Sequence, residues 1–139
     1  MEIARIAGSA HGVVTRAQLL RAGISADEIR ERLARGGLLL EHRGVYRVGH
    51  RAPSIEARYM AAVLACGPGA LLCGRAAAHL YGLIKGSPPQ PEVLTTTERR
   101  IEGILTRRTR VLDPRDADVF EDPAFMLTDL CSLLALQAA

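Results

Sequence analysis

Clustered carboxylates are the residues of this sequence that come nearest to a catalytic pattern. Five acids lie in one stretch of the C-terminal third: Asp113, Asp116, Asp118, Glu121 and Asp122. A nuclease would pair such carboxylates with a lysine to hold a metal and activate water, but the only lysine, Lys85, lies far upstream. A nucleotidyltransferase needs Gly-Ser shortly before an Asp-x-Asp pair, whereas Gly86-Ser87 and Asp116-Ala117-Asp118 are far apart. We therefore interpret these acids as a solvated turn.

The remaining nucleophiles and metal ligands do not form a catalytic pattern either. The cysteines Cys66, Cys73 and Cys131 are odd in number and lie in apolar sequence, which is typical of buried thiols in a reducing compartment. The Cys66/Cys73 spacing has no matching second pair, as a zinc site would require. His79 lies among alanines and is interpreted as a packed or surface residue. The sequence thus predicts no enzyme, no metal and no cofactor.

Positive charge is concentrated in the N-terminal part of the chain. The formal net charge is +3, and residues 1–50 hold eight arginines against five acids, while residues 51–139 are balanced. An arginine-rich composition is also typical of GC-rich genomes, so the position of each arginine matters more than their number. The polar residues that we expect to contact DNA are Arg16, Ser25, Asp27, Arg30, Glu31, Arg35, His42 and Arg43.

Two consecutive helix starts position most of these residues. An amphipathic helix is predicted over residues 2–10, followed by a short β segment at Val13-Val14. Thr15 with Gln18 forms a predicted capping box for a second helix, which ends at Gly23. Ser25 with Glu28 repeats the pattern for a third helix, which ends at Gly36-Gly37. Two capped helices separated by a glycine turn indicate a helix-turn-helix.

A β-hairpin is predicted to follow. Leu38-Leu39-Leu40 and Val45-Tyr46-Arg47-Val48 are rich in strand formers, and His42-Arg43-Gly44 lies between them as a turn. This order of helices and strands predicts a winged helix-turn-helix over residues 1–52. An arginine at the wing tip can meet phosphate or enter a minor groove.

The acidic residues of the third helix count against strong DNA binding by that helix. It carries Asp27, Glu28 and Glu31 beside its arginines, and phosphate repels carboxylates unless they accept from a cytosine amino group. We therefore expect the wing and the flanking arginines to contribute more to binding than the third helix alone. Helix-turn-helix units also dock proteins, so a protein-interaction module is the first alternative.

Residues 53–139 are predicted to form a small α/β region that binds a partner or a second copy. Helices are expected at about 55–65 and 74–81, a stiff linker at 87–91, and a short antiparallel sheet from residues 92–96 and 103–108. Residues 124–139 are predicted to form an apolar terminal helix that must be buried. The strands carry a possible auxiliary basic patch: Arg99, Arg100, Arg107, Arg108 and Arg110. The overall expectation is an α+β fold.

The chain resembles the AbiEi antitoxin family. The resemblance is carried by residues 11–20, His11-Gly12-Val13-Val14-Thr15-Arg16-Ala17-Gln18-Leu19-Leu20, and by Arg35-Gly36-Gly37, His42-Arg43-Gly44-Val45-Tyr46 and Ala76-Ala77-Ala78-His79-Leu80-Tyr81-Gly82-Leu83. It implies a repressor that regulates its own operon in a type IV toxin–antitoxin system, with a nucleotidyltransferase toxin encoded beside it. The acidic third helix and Phe125-Met126 depart from the family pattern.

The expected partners are therefore double-stranded DNA, a cognate nucleotidyltransferase toxin and a second copy of the chain. The sequence holds no secretory signal and no apolar stretch that would span a bilayer, so we expect a cytoplasmic protein without membrane contact. Many relatives continue into a further domain that sometimes resembles a very-short-patch-repair endonuclease. A shortened remnant of such a protein is the second alternative.

Overall fold

The computed structural model of the chain describes residues 2–49 and 54–109. Within them the fold is α+β, with five helices and two separate three-stranded sheets. The chain divides into two compact units, Met1–Gly67 and Pro68–Ala139. No helix in the described ranges is both long and apolar enough to cross a membrane.

The first unit has helices on both faces of its sheet. Its elements, in chain order, are α1 (Glu2–Gly8), β1 (Val13–Thr15), α2 (Arg16–Arg21), α3 (Ala26–Ala34), β2 (Leu38–His42), β3 (Val45–Val48) and α4 (Ile55–Ala65). The sheet order is β1-β3-β2 with both pairings antiparallel. The predicted hairpin is confirmed, and its two strands meet at the Arg43-Gly44 turn.

The starts of α2 and α3 differ in detail. At α2 the capping box is complete, because the Gln18 amide donates to the Thr15 hydroxyl at 3.1 Å and the Thr15 amide donates to the Gln18 side chain at 2.8 Å. At α3 only half of the predicted box forms. The Ser25 hydroxyl accepts from the Glu28 amide at 3.1 Å, but the Glu28 carboxylate accepts from Arg32 instead.

Alternating residues of β1 build two cores. Val14 faces the side of the sheet covered by α1, α2 and α3, and it packs in a cluster with Leu19, Ile29 and other buried side chains. Val13 points to the opposite face, where it joins Val45, Ala57 and Ala61. Since Ala57 and Ala61 belong to α4, that helix packs on the first sheet. This packing is consistent with a first unit that extends to Gly67 and so includes α4, while the domain boundary expected near residue 52 stays a prediction.

The second unit combines one helix with a mixed sheet. Its elements are β4 (Leu71–Leu72), α5 (Gly74–Leu80), β5 (Glu92–Thr95) and β6 (Leu105–Arg108). The sheet order is β4-β5-β6; β4 pairs antiparallel to β5, whereas β5 and β6 are parallel, starting with Glu92 opposite Leu105.

The expectation of an antiparallel pair from residues 92–96 and 103–108 is therefore wrong in strand direction. After β5 the chain runs back toward the start of that strand and turns again at an Ile101–Ile104 bridge. The Leu105 amide then donates to the Pro91 carbonyl at 2.8 Å, so β6 begins beside the start of β5. The acids at 113–122 and the predicted apolar helix at 124–139 lie outside the described residues.

Candidate nucleic-acid interface

The polar face of α3 is neutralised by its own ion pairs. Arg30 lies 2.9 Å from Asp27, Arg32 lies 2.8 Å from Glu28, and Arg35, just past the end of the helix, lies 2.5 Å from Glu31. Each arginine is thus held by a carboxylate about one helical turn before it. Glu31, which we expected to contact DNA, is thus the ion-pair partner of Arg35.

These pairs are weak enough to rearrange when a stronger anion approaches. All six side chains are substantially exposed, and an exposed pair on a helix stabilises it by only about 0.2–0.5 kcal/mol. A phosphate group can therefore compete for the arginines. The carboxylates would remain nearby and repel it, so the pairs reduce the positive charge that α3 can offer to an anion.

Arg16 and Arg43 are brought together at one end of the first sheet. Thr15 lies opposite Val45 in the β1–β3 ladder, and the Arg16 amide donates to the Gly44 carbonyl at 2.8 Å. The first residue of α2 is thereby hydrogen-bonded to the β2–β3 turn. Both arginine side chains are exposed, and neither forms an ion pair within the described ranges. We call Arg16 and Arg43 the arginine pair. Of the arginines that we expected to contact DNA, these two are the ones not held by a carboxylate among the described residues.

The turn that carries Arg43 depends on Gly44. Gly44 has φ of +76°, in the left-handed region that glycine adopts at little cost. A bulge between Leu40 and His42 shifts the strand register just before the turn. Together these features present Arg43 at the tip of the hairpin.

His42 is placed at the base of this turn but is not a cation at neutral pH. The side chain is half-buried, and burial lowers its pKa below the ordinary value of 6.5, although the Glu41 carboxylate acts in the opposite direction. Glu41 itself accepts a hydrogen bond from Arg47 at 2.7 Å in a largely buried pair. His42 can therefore offer DNA a neutral imidazole rather than a charge.

Ser25 has a structural function already. Its oxygen accepts the Glu28 amide hydrogen at the start of α3, and the residue remains exposed. The hydroxyl hydrogen is still available to an acceptor such as phosphate. The eight predicted contacts thus separate into the arginine pair, the ion-paired residues of α3, the cap Ser25 and the neutral His42.

In the second unit, Arg107 is neutralised by a buried acid that the sequence did not single out. Glu92 is 5% exposed, and its carboxylate lies 2.5 Å from the Arg107 Nε. The same carboxylate accepts from the Arg75 amide at 3.2 Å, at the start of α5. Gly74 makes room for it, because a Cβ at that position would overlap the carboxylate. The sequence gives only one indication of this buried acid, which is that Glu92 is the first residue of a predicted strand.

Cys73 precedes α5 beside this carboxylate and is not a reactive thiol. Burial, followed by the nearby Glu92 charge, raises the pKa of Cys73 to about 12, although Arg107 acts in the opposite direction. The thiol therefore stays protonated at neutral pH and is a poor nucleophile. Cys73 is a free thiol.

The predicted auxiliary basic patch is divided between two faces of the second sheet. Successive strand residues point to opposite faces, so Arg107 lies on the Glu92 face and Arg108 on the other. Arg108 instead lines a cleft with Arg99 and Arg100, while Arg110 lies outside the described residues. Among the described residues no group of three or more His, Cys, Asp or Glu side chains is arranged to hold a metal ion.

No protein-family model matches the chain, and no curated protein matches it. The resemblance to AbiEi antitoxins therefore stays a prediction carried by the residues quoted above.

Proposed function

We propose that the first unit is a winged helix-turn-helix that binds double-stranded DNA, and that the protein is a transcriptional repressor. The order of its elements supports this proposal. α2 and α3 are joined by the short turn at residues 22–25, and β2 and β3 follow as a hairpin. In such an arrangement the second of the two helices enters the major groove and the hairpin acts as the wing.

The observation that carries the proposal is the hydrogen bond from the Arg16 amide to the Gly44 carbonyl. It holds the start of α2 against the β2–β3 turn, so two exposed arginines from separate elements lie close together along the backbone and could contact the same DNA. Phosphate contacts of this kind position a protein on the duplex. The ion-paired arginines of α3 can then exchange a carboxylate for a phosphate or a base edge.

The resemblance to AbiEi antitoxins extends the proposal. It suggests that the DNA is the protein's own promoter and that a nucleotidyltransferase toxin is a partner. A second copy of the chain remains a candidate partner for residues 53–139. A nucleotidyltransferase gene directly beside this one would support the extension. DNA binding by the first unit does not depend on it.

A protein-docking function is the second candidate, because apolar side chains are exposed on the same unit. Leu40 on β2 is 66% exposed and Leu20 on α2 is 44% exposed. Together with the neutralised face of α3, they suit a protein surface better than a phosphate backbone. This candidate predicts no DNA binding at low salt.

Binding of the full chain to promoter DNA and to a scrambled duplex, measured by fluorescence anisotropy from 50 to about 300 mM NaCl, tests the proposal. We expect tighter binding to the promoter and a steep loss of affinity with salt, since arginine contacts release counterions from the duplex. Arg16→Gln and Arg43→Gln should each weaken binding several-fold and reduce the salt slope by about 1.

Arg58→Gln is the matched control, because Arg58 is an exposed arginine of α4 in the same unit. It removes the same charge and should change the affinity less than either test variant. Absence of binding at 50 mM NaCl would refute the proposal. Equal losses in all three variants would refute the assignment to the arginine pair.

A further inference from the structure

The second unit contains a concave cationic site that is distinct from the first unit's surface. A cleft of about 300 Å³ is lined by Arg99, Arg100, Arg108, Thr95, Thr106 and Glu98. The three arginines are exposed, and none forms an ion pair within the described parts of the chain. With one carboxylate against three guanidinium groups, the lining carries a formal excess of two positive charges.

The parallel pairing of β5 and β6 positions the residues that line this cleft. Thr95 and Arg108 are register partners at the carboxyl ends of β5 and β6, and Thr106 lies on the same face as Arg108. The Thr106 hydroxyl donates to the Arg99 carbonyl at 2.5 Å, which ties the connecting loop to β6. The arginines of the loop and of β6 are therefore gathered at one place.

The donors in the cleft are almost entirely guanidinium groups. The Thr95 hydroxyl donates to the Thr97 carbonyl at 2.6 Å, and the Thr106 hydroxyl is used as described above. Both hydroxyl hydrogens are thus engaged within the loop. Arginine forks match the paired oxygens of phosphate and carboxylate. Like charges gathered in a cleft raise the local concentration of such anions.

We infer that this arginine cleft binds the backbone phosphates of a nucleic acid without reading its sequence. Among the residues that the structure describes, the lining includes no apolar or aromatic side chain. A protein partner would be expected to bury an apolar centre, and a base-stacking site would present aromatic rings. Contacts to phosphate alone require neither. The inference does not rest on the first unit binding DNA.

The test measures binding of the full chain to random-sequence duplex and single-stranded DNA at 50–200 mM NaCl. The variant combines Arg99→Gln, Arg100→Gln and Arg108→Gln. We expect its Kd for the preferred form of DNA to rise about tenfold or more, and its salt slope to fall by about 2–3, since each lost phosphate contact removes roughly 0.9. Whichever form loses more affinity identifies the strand type that the cleft holds.

Arg75→Gln is the matched control within the same unit, because Arg75 is exposed on α5 and does not line the cleft. It should change the Kd less than twofold. Thermal unfolding should show that both variants remain folded. An unchanged Kd in the triple variant, or an equal loss in the control, would overturn the inference. Binding of polyglutamate by the wild type and the triple variant is measured in the same way. If the triple variant loses polyglutamate binding but keeps DNA binding, the ligand of the cleft is an acidic peptide and the inference is overturned.

Repeating the series in a background of Arg16→Gln and Arg43→Gln separates the two sites. If the inference holds, the triple substitution lowers affinity by a similar factor in both backgrounds. Absence of promoter preference in the chain with Arg16 and Arg43 intact, together with cleft-dependent binding, would count against the proposed function alone. Retained promoter preference without any effect of the triple substitution would count against the cleft alone.

Discussion

The charge that an arginine offers to DNA depends on which carboxylates already hold it. On α3, Arg30, Arg32 and Arg35 are each bound to a preceding acid, whereas Arg16 and Arg43 are not ion-paired within the described ranges. The same residue type therefore serves two purposes in one small unit. The formal charge of a helix is a poor guide to its electrostatics when such pairs are present.

Removing an acid from α3 should strengthen DNA binding. Glu31→Gln frees Arg35 and removes a negative charge from the proposed DNA-facing surface, so we expect the Kd for duplex DNA to fall several-fold at 50 mM NaCl. Glu56→Gln on α4 makes the same change in net charge at an exposed site and is the control. Equal effects of the two variants, or weaker binding by Glu31→Gln, would show that α3 does not approach DNA.

The half-buried His42 gives the first unit a pH dependence. Its pKa is lowered from 6.5 in the folded state, so the unfolded chain binds the proton more readily. The resulting stability is present above about pH 6.5 and is lost as the pH falls through the lower folded-state pKa. Urea unfolding at pH 5 to 7.5 should show this loss in the wild type and a smaller loss in His42→Gln. Identical slopes for the two proteins would contradict the assignment.

At the level of elements, local sequence signals were sufficient to predict where most helices and strands begin. The Thr15 capping box, the Ser25 cap and helix 55–65 are confirmed, because each depends on side chains within a few residues of the backbone that they bind. Glu28 was assigned to the wrong partner, since Arg32 competes with the Ser25 amide for its carboxylate.

Elements that depend on distant residues were not predictable in this way. β4 is only two residues long and forms because β5 pairs with it. The parallel direction of β6 follows from a reversal within the loop, and the Glu92–Arg107 pair needs β5 and β6 to be adjacent. The arginine cleft depends on the same adjacency. The sequence analysis named the three arginines of the cleft, but it placed Arg107 in the same patch and did not predict that Arg107 lies on the other face of the sheet.

Ser25 allows helix capping and DNA contact to be distinguished. Ser25→Ala should lower the unfolding free energy by about 1 kcal/mol because it removes the acceptor for the Glu28 amide. Ser25→Asp retains the cap, so its stability should match the wild type. If Ser25 faces DNA, the aspartate variant should weaken binding more than the alanine variant, because alanine loses only the hydroxyl donor whereas aspartate repels phosphate. Denaturation and anisotropy measured on both variants separate these outcomes.

At the level of the whole molecule, we expect α4 to stabilise the first unit. This helix covers Val13 and Val45 on the face of the sheet opposite the other helices. Leaving a buried aliphatic side chain exposed costs about 1.5–3 kcal/mol, and small domains are stable by only about 5–15 kcal/mol. We therefore expect a fragment of residues 1–67 to unfold cooperatively and a fragment of residues 1–52 to be several kcal/mol less stable.

Circular dichroism during urea unfolding measures this difference. The longer fragment should also retain the DNA affinity of the arginine pair, since Arg16, Arg43 and Gly44 all lie within it. Equal stability of the two fragments would show that α4 contributes little and that the boundary lies near residue 52.

The close fit of Gly74 against the Glu92 carboxylate has a consequence for how this protein changes over time. Gly74 has φ of +60°, and any larger residue there would collide with the acid that binds the start of α5. Loss of the acid would in turn leave Arg107 and the Arg75 amide without their partner. A substitution at Gly74 or at Glu92 alone should therefore be selected against. We expect the two residues to be retained together among descendants of this gene, even where the exposed arginines have changed.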